Sequence, residues 1–451
     1  MKRGSDVSHP IPTSTETVGL LSRRSFVSSS ILFAENFLRL GVVAAVSFWI
    51  AHALGPAQFG VLNYASALVA VFWSLGLLGL DTPVIARLTR GDEPAVTLGS
   101  AVALRVAVGL ACTALACGAV VLMRPGDQLS IVLVAIVALS IPISAPLTLD
   151  CWFKSRNEAV RPAVARIVAT LLTSAAKVGC IVLGFGVVAL AWTVTLEALF
   201  GALALIVAYL RCTGQHPPTS LSLSKSRMIS LLKESWPYAL STVAIVAYMK
   251  IDLIILGMLS SDYETGIYGL CQKMSEVLYI LPVVVVEVLY PQLLRQHHGQ
   301  VAGTQAAAQS FFDLSVAVAM LSTVLAIAAV TWLVPALLGG PYLRSVDLFI
   351  VHSWSCVGLA LAHARYKFMA ATGLQAMAPV VTLMGLVLAI LLNLALIPRF
   401  GAMGAAVAIV ISYFTSGYLV SFLFVALRPA ARMQTLALWP WVRLYRELRT
   451  A

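Results

Sequence analysis

Long apolar stretches separated by short polar segments account for most of the chain. A helix needs about 20 residues to cross the hydrocarbon part of a bilayer, and stretches of this kind occur twelve times. The pattern therefore predicts an all-α, polytopic membrane protein with twelve transmembrane helices. Their predicted limits are Ser30–Ala53, Val61–Leu80, Leu98–Met123, Ser130–Leu149, Ala163–Phe185, Val187–Leu210, Trp236–Met258, Gly266–Tyr290, Phe311–Leu338, Val346–Ala364, Met377–Ile397 and Ala402–Leu427.

An uncharged turn, Leu54–Gly60, separates the first two stretches and has a counterpart at Ser260–Gly266. Gly55 and Pro56 should break the helix here, because glycine tolerates helix-ending angles and proline lacks a backbone N–H. This turn is the first sign that the chain contains two related halves.

Two further short patterns recur in the same order in the second half. Phe153–Lys154 matches Tyr366–Lys367, 213 positions later, and Phe185–Gly186 matches Phe400–Gly401, 215 positions later. The turn matches at an offset of 206, through Gly60 and Gly266. An even number of helices per copy gives both copies the same orientation. We therefore expect two parallel six-helix bundles around a central cavity.

The longest polar connection contains two prolines and a serine-rich run, which is typical of a linker between the two bundles. With this linker and a tail at each end, the chain has five predicted parts. These are an N-terminal tail 1–29, a first bundle 30–210, a linker 211–235, a second bundle 236–427 and a basic, aromatic tail 428–451.

Composition agrees with a membrane protein. Hydrophobic residues make up 60% of the chain and charged residues only 11%, at a mean hydropathy of +0.93, whereas soluble domains are about one-quarter charged. The net charge of +11 comes from basic residues scattered over short loops and chain ends, so it does not predict nucleic-acid binding. With the N-terminus inside, 21 cations fall on inner segments and 3 on outer loops. Both termini are therefore predicted to be cytoplasmic.

Charged residues inside the predicted spans are the candidate functional residues, because each costs at least about 2.5–3.5 kcal/mol to place in a membrane. Arg166, Glu287 and Asp313 lie near helix ends and are expected to reach the membrane surface. The other cations are Arg39, Arg105, Lys177, Lys250 and Lys273, and the other acids are Glu35, Glu197, Asp252 and Glu276.

Their spacing leaves alternatives open. Glu35 with Arg39 and Lys273 with Glu276 are spaced to pair on one helix face, either as structural ion pairs or as part of a cavity. Arg105 and Lys177 have no opposite charge within a turn. They are candidates for ligand contact, and the alternative is a pair with Glu197.

The two halves differ in the sign of their intramembrane charge. With Asp347 at the very start of the tenth span left aside, the first six spans carry four cations and two acids, and the last six carry two cations and four acids. Our hypothesis is that the first half supplies a phosphate-binding wall, while acids of the second half bind a proton or Na⁺. The predicted substrate-binding residues are Arg39, Arg105, Lys177, Lys250 and Lys273; the predicted coupling acids are Glu35, Glu197, Asp252 and Glu276.

Signatures of catalysis are missing from the sequence. The histidines form no HExxH or other ligand cluster, and the chain contains no Walker A, GxGxxG or GxSxG motif. We predict no catalytic residue, no metal, no cofactor and no enzymatic activity.

Several stretches together resemble a known family. They are Leu54–Gly60, Lys250–Gly257 followed by Gly266–Tyr268, Tyr290–Pro291, and Asn393–Gly401 continuing to Ala406. In these segments the chain resembles the Wzx-type O-antigen and exopolysaccharide flippases of the multidrug/oligosaccharidyl-lipid/polysaccharide exporter superfamily. The similarity extends from Ser30 to Leu427.

The resemblance implies alternating access between two six-helix bundles in the bacterial inner membrane. It implies a substrate, undecaprenyl-diphosphate-linked oligosaccharide, that moves from the cytoplasmic to the periplasmic leaflet, with polysaccharide polymerase and glycosyltransferases as partners. In such proteins cavity cations hold the diphosphate, a role carried over here to Arg39. The alternatives are a multidrug exporter of the same superfamily, a membrane polysaccharide polymerase or ligase, and a structural scaffold.

Overall fold

The computed structural model describes residues 15–156, 158, 160–211, 220–298 and 304–439, and all regular elements among them are helical. Single turns of 3₁₀ helix at Ala145–Leu149 and of π helix at Thr415–Leu419 interrupt two of the predicted spans. The α-helices are α1 Thr15–Gly76, α2 Asp81–Thr89, α3 Pro94–Met123, α4 Gln128–Ala138, α5 Ser140–Ile143, α6 Asp150–Ser155, α7 Val160–Val182, α8 Val187–Leu210, α9 Lys225–Leu259, α10 Asp262–His298, α11 Thr304–Leu337, α12 Arg344–His352, α13 Ser355–Ala371, α14 Ala378–Phe400, α15 Ala402–Phe414, α16 Val420–Leu423 and α17 Arg428–Leu438.

The predicted twelve-helix membrane fold is confirmed. Ten described helical stretches are long and apolar enough to cross a membrane, and the first of them, 41–89, contains the second predicted span together with the end of the first. The 37-residue α10 is not among the ten and carries Lys273, Glu276 and Glu287. Counting it and the doubled first stretch gives twelve spans in the part of the chain that the structure describes.

Gly55 breaks α1 at the predicted turn. Its backbone has φ 70° and ψ 168°, a region that is essentially restricted to glycine. Pro56 follows and cannot donate the backbone hydrogen bond that would continue the helix. The predicted helix break between the first two spans is therefore confirmed.

The turn lies at one end of the molecule, the hairpin end, where glycines allow the two halves to touch. A Cβ on Gly60 would overlap the carbonyl oxygen of Asp262, and a Cβ on Gly266 would overlap the carbonyl oxygen of Pro56. The two glycines that mark the internal repeat therefore lie at one backbone-to-backbone contact between α1 and α10. No side chain fits there without moving the helices apart.

Arg124 fastens the hairpin end. From the first half, its Nη2 lies 2.7 Å from Asp262 Oδ1 and its Nε donates to the Gly257 carbonyl oxygen at 2.8 Å. Its Nη1 also contacts Asp127 at 3.0 Å. Burial tends to raise the pKa of Asp127, but hydrogen bonds from Ser130 and the charge of Arg124 hold this pKa below its ordinary value. Arg124 is thus held in place by Asp127 and joins the second half to the first.

At the opposite end, the linker end, ion pairs attach the start of α9 to the first half. Arg87 Nε donates to Glu234 Oε2 at 3.0 Å, and Arg227 Nη1 lies 2.5 Å from Asp92 Oδ2. The helix α9 begins inside the predicted linker 211–235, of which residues 212–219 lie outside the described residues. The start of α9, which was predicted to be part of the linker, therefore packs on the first half.

The predicted tails are partly helical. The helix α1 begins at Thr15, inside the predicted tail 1–29, while residues 1–14 lie outside the described part of the chain. The helix α17 opens the predicted tail 428–451 and packs on α11 and α13. Its buried Gln434 donates to the carbonyl oxygens of Leu361 and Gly417 at 3.1 Å and 2.8 Å. Residues 440–451, with most of the basic and aromatic cluster, are outside the described residues.

Candidate functional site

The first half contains a cavity of about 700 Å³, which we call the N-half cavity. Its wall is formed by the parts of α1 before and after Gly55 and by the elements from α4 to α8. Many of the side chains that line it are as small as alanine, serine or glycine. Small side chains leave the volume open. The charged residues that line it are Arg39, Asp150, Lys154, Arg166 and Glu197.

Two prolines shape the wall of this cavity. Pro142 and Pro146 interrupt span four, so that α4 ends at Ala138 and a 3₁₀ turn precedes α6. The break starts a new helix at Asp150, and Lys154 follows one turn later on the same face. An unbroken span would have given these two side chains another direction.

Asp150 is shared between two cations. Its Oδ2 lies 2.8 Å from Lys154 Nζ and 3.3 Å from Arg166 Nη1. Arg166 was expected to reach the membrane surface, but its guanidinium turns toward this carboxylate in the cavity wall. Lys154 Nζ also lies 3.8 Å from Asp81 Oδ2, and Asp81 pairs with Arg105, so the described part of this network has three cations to two carboxylates and a net positive charge. That charge suits an anionic ligand.

Arg105 is buried outside this wall. Its Nη2 lies 2.6 Å from Asp81 Oδ1, and only 4% of its side chain is exposed. Asp81 begins α2, 24 residues earlier in the chain, so a search within one helical turn could not reveal it. Both expectations for Arg105, ligand contact and a pair with Glu197, are replaced by this ion pair.

Lys177 does pair with Glu197, the alternative that its sequence context left open. Its Nζ lies 2.8 Å from Glu197 Oε2 on the neighbouring α8, and Glu197 lines the N-half cavity. Lys177 also lies near enough to Lys273 of the second half for their like charges to repel each other. It therefore lies where the cavity meets the other half.

Three lysines, Lys177, Lys250 and Lys273, form what we call the lysine cluster between the halves. Lys250 bonds Glu276, and Lys273 Nζ lies 3.6 Å from the other oxygen of the same carboxylate. The predicted pair of Lys273 with Glu276 is confirmed, although Lys250 is the closer partner. Two acids, Glu197 and Glu276, balance three lysines, which again leaves an excess of positive charge.

The predicted coupling acids lie in different surroundings. Asp252 is 1% exposed and accepts hydrogen bonds from Leu253 N at 2.8 Å, from Gln272 Nε2 at 3.3 Å and from the Tyr268 hydroxyl. Glu197 and Glu276 form ion pairs in the lysine cluster. The side chain of Glu35 lies outside the described residues. A role of these acids in ion coupling stays a prediction.

Sequence reasoning missed the most central acid of the N-half cavity. Asp150 was not considered, and Lys154 was used only to locate the repeat and the cytoplasmic loops. A usable signal was present, since the two are four positions apart directly after a proline-broken stretch. Their meeting with Arg166 on the next span could be found only from the packing of α6 against α7.

The second half has a cavity of its own, about 410 Å³, between α9, α13, α14 and α15. We call it the C-half cavity. Large parts of its wall are apolar, including Ile245, Met249, Leu359, Met369 and Val381. The described residues that line it include no carboxylate.

The two cavities occupy related places in the internal repeat. Arg39 of the first cavity corresponds to Ile245 of the second at the offset of 206, and Arg166 corresponds to Val381 at the offset of 215. Charged positions in one copy are thus aliphatic positions in the other.

Comparisons with known proteins agree with this architecture. Residues 27–297, more than half of the chain, match the profile of a family described as polysaccharide biosynthesis protein. No curated protein shows significant sequence similarity to the chain.

Solved structures share the fold. An inward-facing multidrug resistance MATE family transporter of the MOP superfamily is 13% identical, with a TM-score of 0.68 over 90% of this chain and 98% of its own. The lipid II flippase MurJ in an inward closed conformation is 13% identical, with a TM-score of 0.70 over 94% of this chain and 93% of its own. At these identities the likeness establishes the fold and leaves the substrate to be argued from the site.

Proposed function

Because the chain belongs to the polysaccharide biosynthesis protein family and has the fold of MOP superfamily transporters, we propose that it is a Wzx-type flippase. The proposed substrate is an undecaprenyl-diphosphate-linked oligosaccharide for O-antigen or exopolysaccharide synthesis. The protein would move it from the cytoplasmic to the periplasmic leaflet of the bacterial inner membrane.

The excess of cations around the N-half cavity and the lysine cluster carries this proposal. Arg39, Lys154 and Arg166 line the cavity with two acids, and three lysines follow with Glu276 where the halves meet. Charged groups are costly inside a membrane unless they are paired or serve a ligand. An anionic diphosphate would offset the excess of lining cations over lining acids, and the cavity of about 700 Å³ has room for sugars.

The positions of the contacts support alternating access. The hairpin end is closed by the Gly60–Gly266 contact and by Arg124, while Asp150, Lys154 and Arg166 lie toward the linker end. With the linker in the cytoplasm, as the 21-to-3 distribution of cations favours, we infer that this arrangement receives substrate from the cytoplasmic side. Release would require the contacts of Arg124 with Gly257 and Asp262 to break.

A multidrug exporter of the same superfamily is the competing function. Organic cations are best bound by an apolar pocket that contains carboxylates. The N-half cavity has more cations than acids, and the described lining of the C-half cavity has no acid. The charge of both cavities therefore favours the anionic lipid.

Deletion of the gene tests the proposed function. We expect lipid-linked oligosaccharide to accumulate and surface polysaccharide to disappear, because repeat units are assembled but not translocated. The location of the accumulated lipid can be measured in sealed spheroplasts, where an added glycosidase reaches only the outer leaflet. The accumulated oligosaccharide should resist the enzyme until the membrane is permeabilised.

Complementation with the wild-type gene should restore surface polysaccharide. Normal polysaccharide in a deletion strain without a second flippase gene would sink the proposal. Increased sensitivity to cationic drugs, with unchanged polysaccharide, would establish the exporter instead.

A further inference from the structure

The C-half cavity has polar side chains, but most of their hydrogen-bonding groups are already occupied by the protein. Tyr248 OH and Ser416 Oγ bond each other at 2.8 Å. Thr382 Oγ1 donates to a carbonyl of its own helix at 3.0 Å. Arg365 Nη1 donates to the Ser416 carbonyl oxygen at 2.6 Å and to Ser421 Oγ at 3.1 Å.

Two further polar side chains of the wall are bonded within the protein or exposed. His363 Nε2 contacts Glu287 Oε1 at 3.3 Å, and Tyr366 is 46% exposed. Arg365 Nε is a buried donor without a hydrogen-bond partner. One such donor is too little for a sugar, because a site for a hydroxylated ligand needs several unpaired donors and acceptors aimed into it.

The chemistry of the wall therefore fits a hydrocarbon. Ile245, Leu359 and Val381 present branched aliphatic groups, and Met249 and Met369 add unbranched, polarisable side chains that adapt to irregular shapes. A volume of about 410 Å³ lies within the range of small-ligand pockets. It is large enough for a segment of a lipid chain.

The lysine cluster lies between this cavity and the N-half cavity. Glu197 lines the N-half cavity and pairs with Lys177, which interacts with Lys273. On the other side, Glu276 and Tyr413 line one small buried void, and Tyr413 also lines the C-half cavity. An anionic group held by the lysines would thus have a polar cavity on one side and an apolar cavity on the other.

We propose that the C-half cavity binds the isoprenoid segment next to the diphosphate of the substrate, while the lysine cluster and the N-half cavity hold the diphosphate and the sugars. This inference rests on the proposed flippase function. It assigns opposite ends of one amphipathic molecule to the two copies of the internal repeat. The rest of the lipid chain remains in the bilayer.

Binding to the purified full-length protein in detergent tests the assignment. The probes are inorganic diphosphate and farnesyl diphosphate, which carries three isoprene units on the same anionic group. We expect farnesyl diphosphate to bind at least about 10-fold more tightly, because several apolar groups leave water on binding. Isothermal titration calorimetry measures both affinities.

Two cavity-filling variants separate the hydrocarbon site from the anion site. Val381→Trp and Leu359→Trp should each remove most of the gain from the farnesyl chain and leave the affinity for inorganic diphosphate unchanged. Val380→Trp is the matched control, because Val380 is the adjacent residue of α14 and is 50% exposed. It should keep the full gain. Size-exclusion elution and thermal unfolding identify any variant that has misfolded.

The outcomes separate the two proposals. If neither diphosphate binds to the wild type, the proposed function fails and this inference fails with it. If both bind and the two cavity variants keep the gain as Val380→Trp does, only the inference is overturned. A short-chain phosphatidic acid is a further probe. If it also binds more tightly than inorganic diphosphate to the wild type and loses that gain in the two cavity variants, the cavity takes acyl chains, which overturns the inference.

Discussion

The two cavities lie at related places in two copies of one repeat, yet their walls have opposite chemistry. In the N-half cavity, Arg39 and Arg166 stand where the C-half cavity has Ile245 and Val381. The duplicated helices therefore preserve the position of a cavity without preserving its ligand. Side chains at a few positions decide whether the same space is charged or apolar.

The cations that line the two cavities also have different partners. In the N-half cavity, Asp150 is shared by Lys154 and Arg166, and Lys154 also contacts Asp81, so these cations are held by side-chain carboxylates. Arg365 of the C-half cavity instead donates to the Ser416 and Gly417 carbonyl oxygens of the π turn, at 2.6 Å and 3.2 Å. A π turn alters the regular helical hydrogen bonds and is frequent at functional sites. Here it supplies carbonyl groups that bind a cation within the protein.

The largest effect is expected when positive charge is removed from the N-half cavity, which tests whether this cavity and not the C-half cavity holds the anionic group. Arg39→Gln combined with Lys154→Gln should lower the rate of translocation by roughly 100-fold or more, because hydrogen bonds to charged groups contribute about 1.5–3 kcal/mol each. The release of lipid-linked oligosaccharide to the outer leaflet measures this rate. Lys233→Gln, at an exposed position of α9, is the control and should translocate normally. Normal translocation by the double variant would show that the N-half cavity does not hold the diphosphate.

A transfer of charge between the cavities tests whether they are interchangeable. Val381→Arg should lower translocation about 10-fold, because an unpaired guanidinium in an apolar wall is costly and occupies the volume assigned to the lipid chain. Adding Val381→Arg to Arg166→Gln should not restore activity. Recovery in the double variant would mean that the cation is required in either half, which contradicts the division of roles. The same translocation assay decides between these outcomes.

The contact between the halves gives the smallest expected effect on translocation. Gly60→Ala should lower the free energy of unfolding by about 1–3 kcal/mol, because the added methyl group meets backbone atoms of α10. Translocation should fall only a few-fold, since this contact opens during the transport cycle. Thermal unfolding in detergent measures the stability.

Gly118→Ala is the matched control for that substitution. Gly118 is also helical, but no atom lies within 4 Å of the position where its Cβ would be. Alanine should be neutral or stabilising there, because it favours the helix more than glycine does. Equal destabilisation by both substitutions would show that the effect comes from helix propensity and not from the contact between the halves.

The sequence-based predictions succeeded where the interacting residues are close together in the chain, and were incomplete where the partners come from different helices. Helix number, the break at Gly55 and the pairing of Lys273 with Glu276 depend on neighbours along the chain, and all three are confirmed. The partner of Arg105 is Asp81, which lies in another helix, and this pairing was not predicted. Lys177 shows an intermediate case, because Glu197 was considered as a partner but could not be chosen without knowing how α7 packs on α8.

The sequence by itself determined that this chain crosses a membrane twelve times as two related bundles, because apolar length and repeated turns are local properties of the polypeptide. It also identified most of the charged residues near the centre of the protein. Only the tertiary structure decided which of them share a cavity, because a side chain's partners depend on the helices that pack beside it. The same packing shows that one repeat lines its cavity with more cations than acids, and that the other combines apolar side chains with polar groups mostly bonded within the protein.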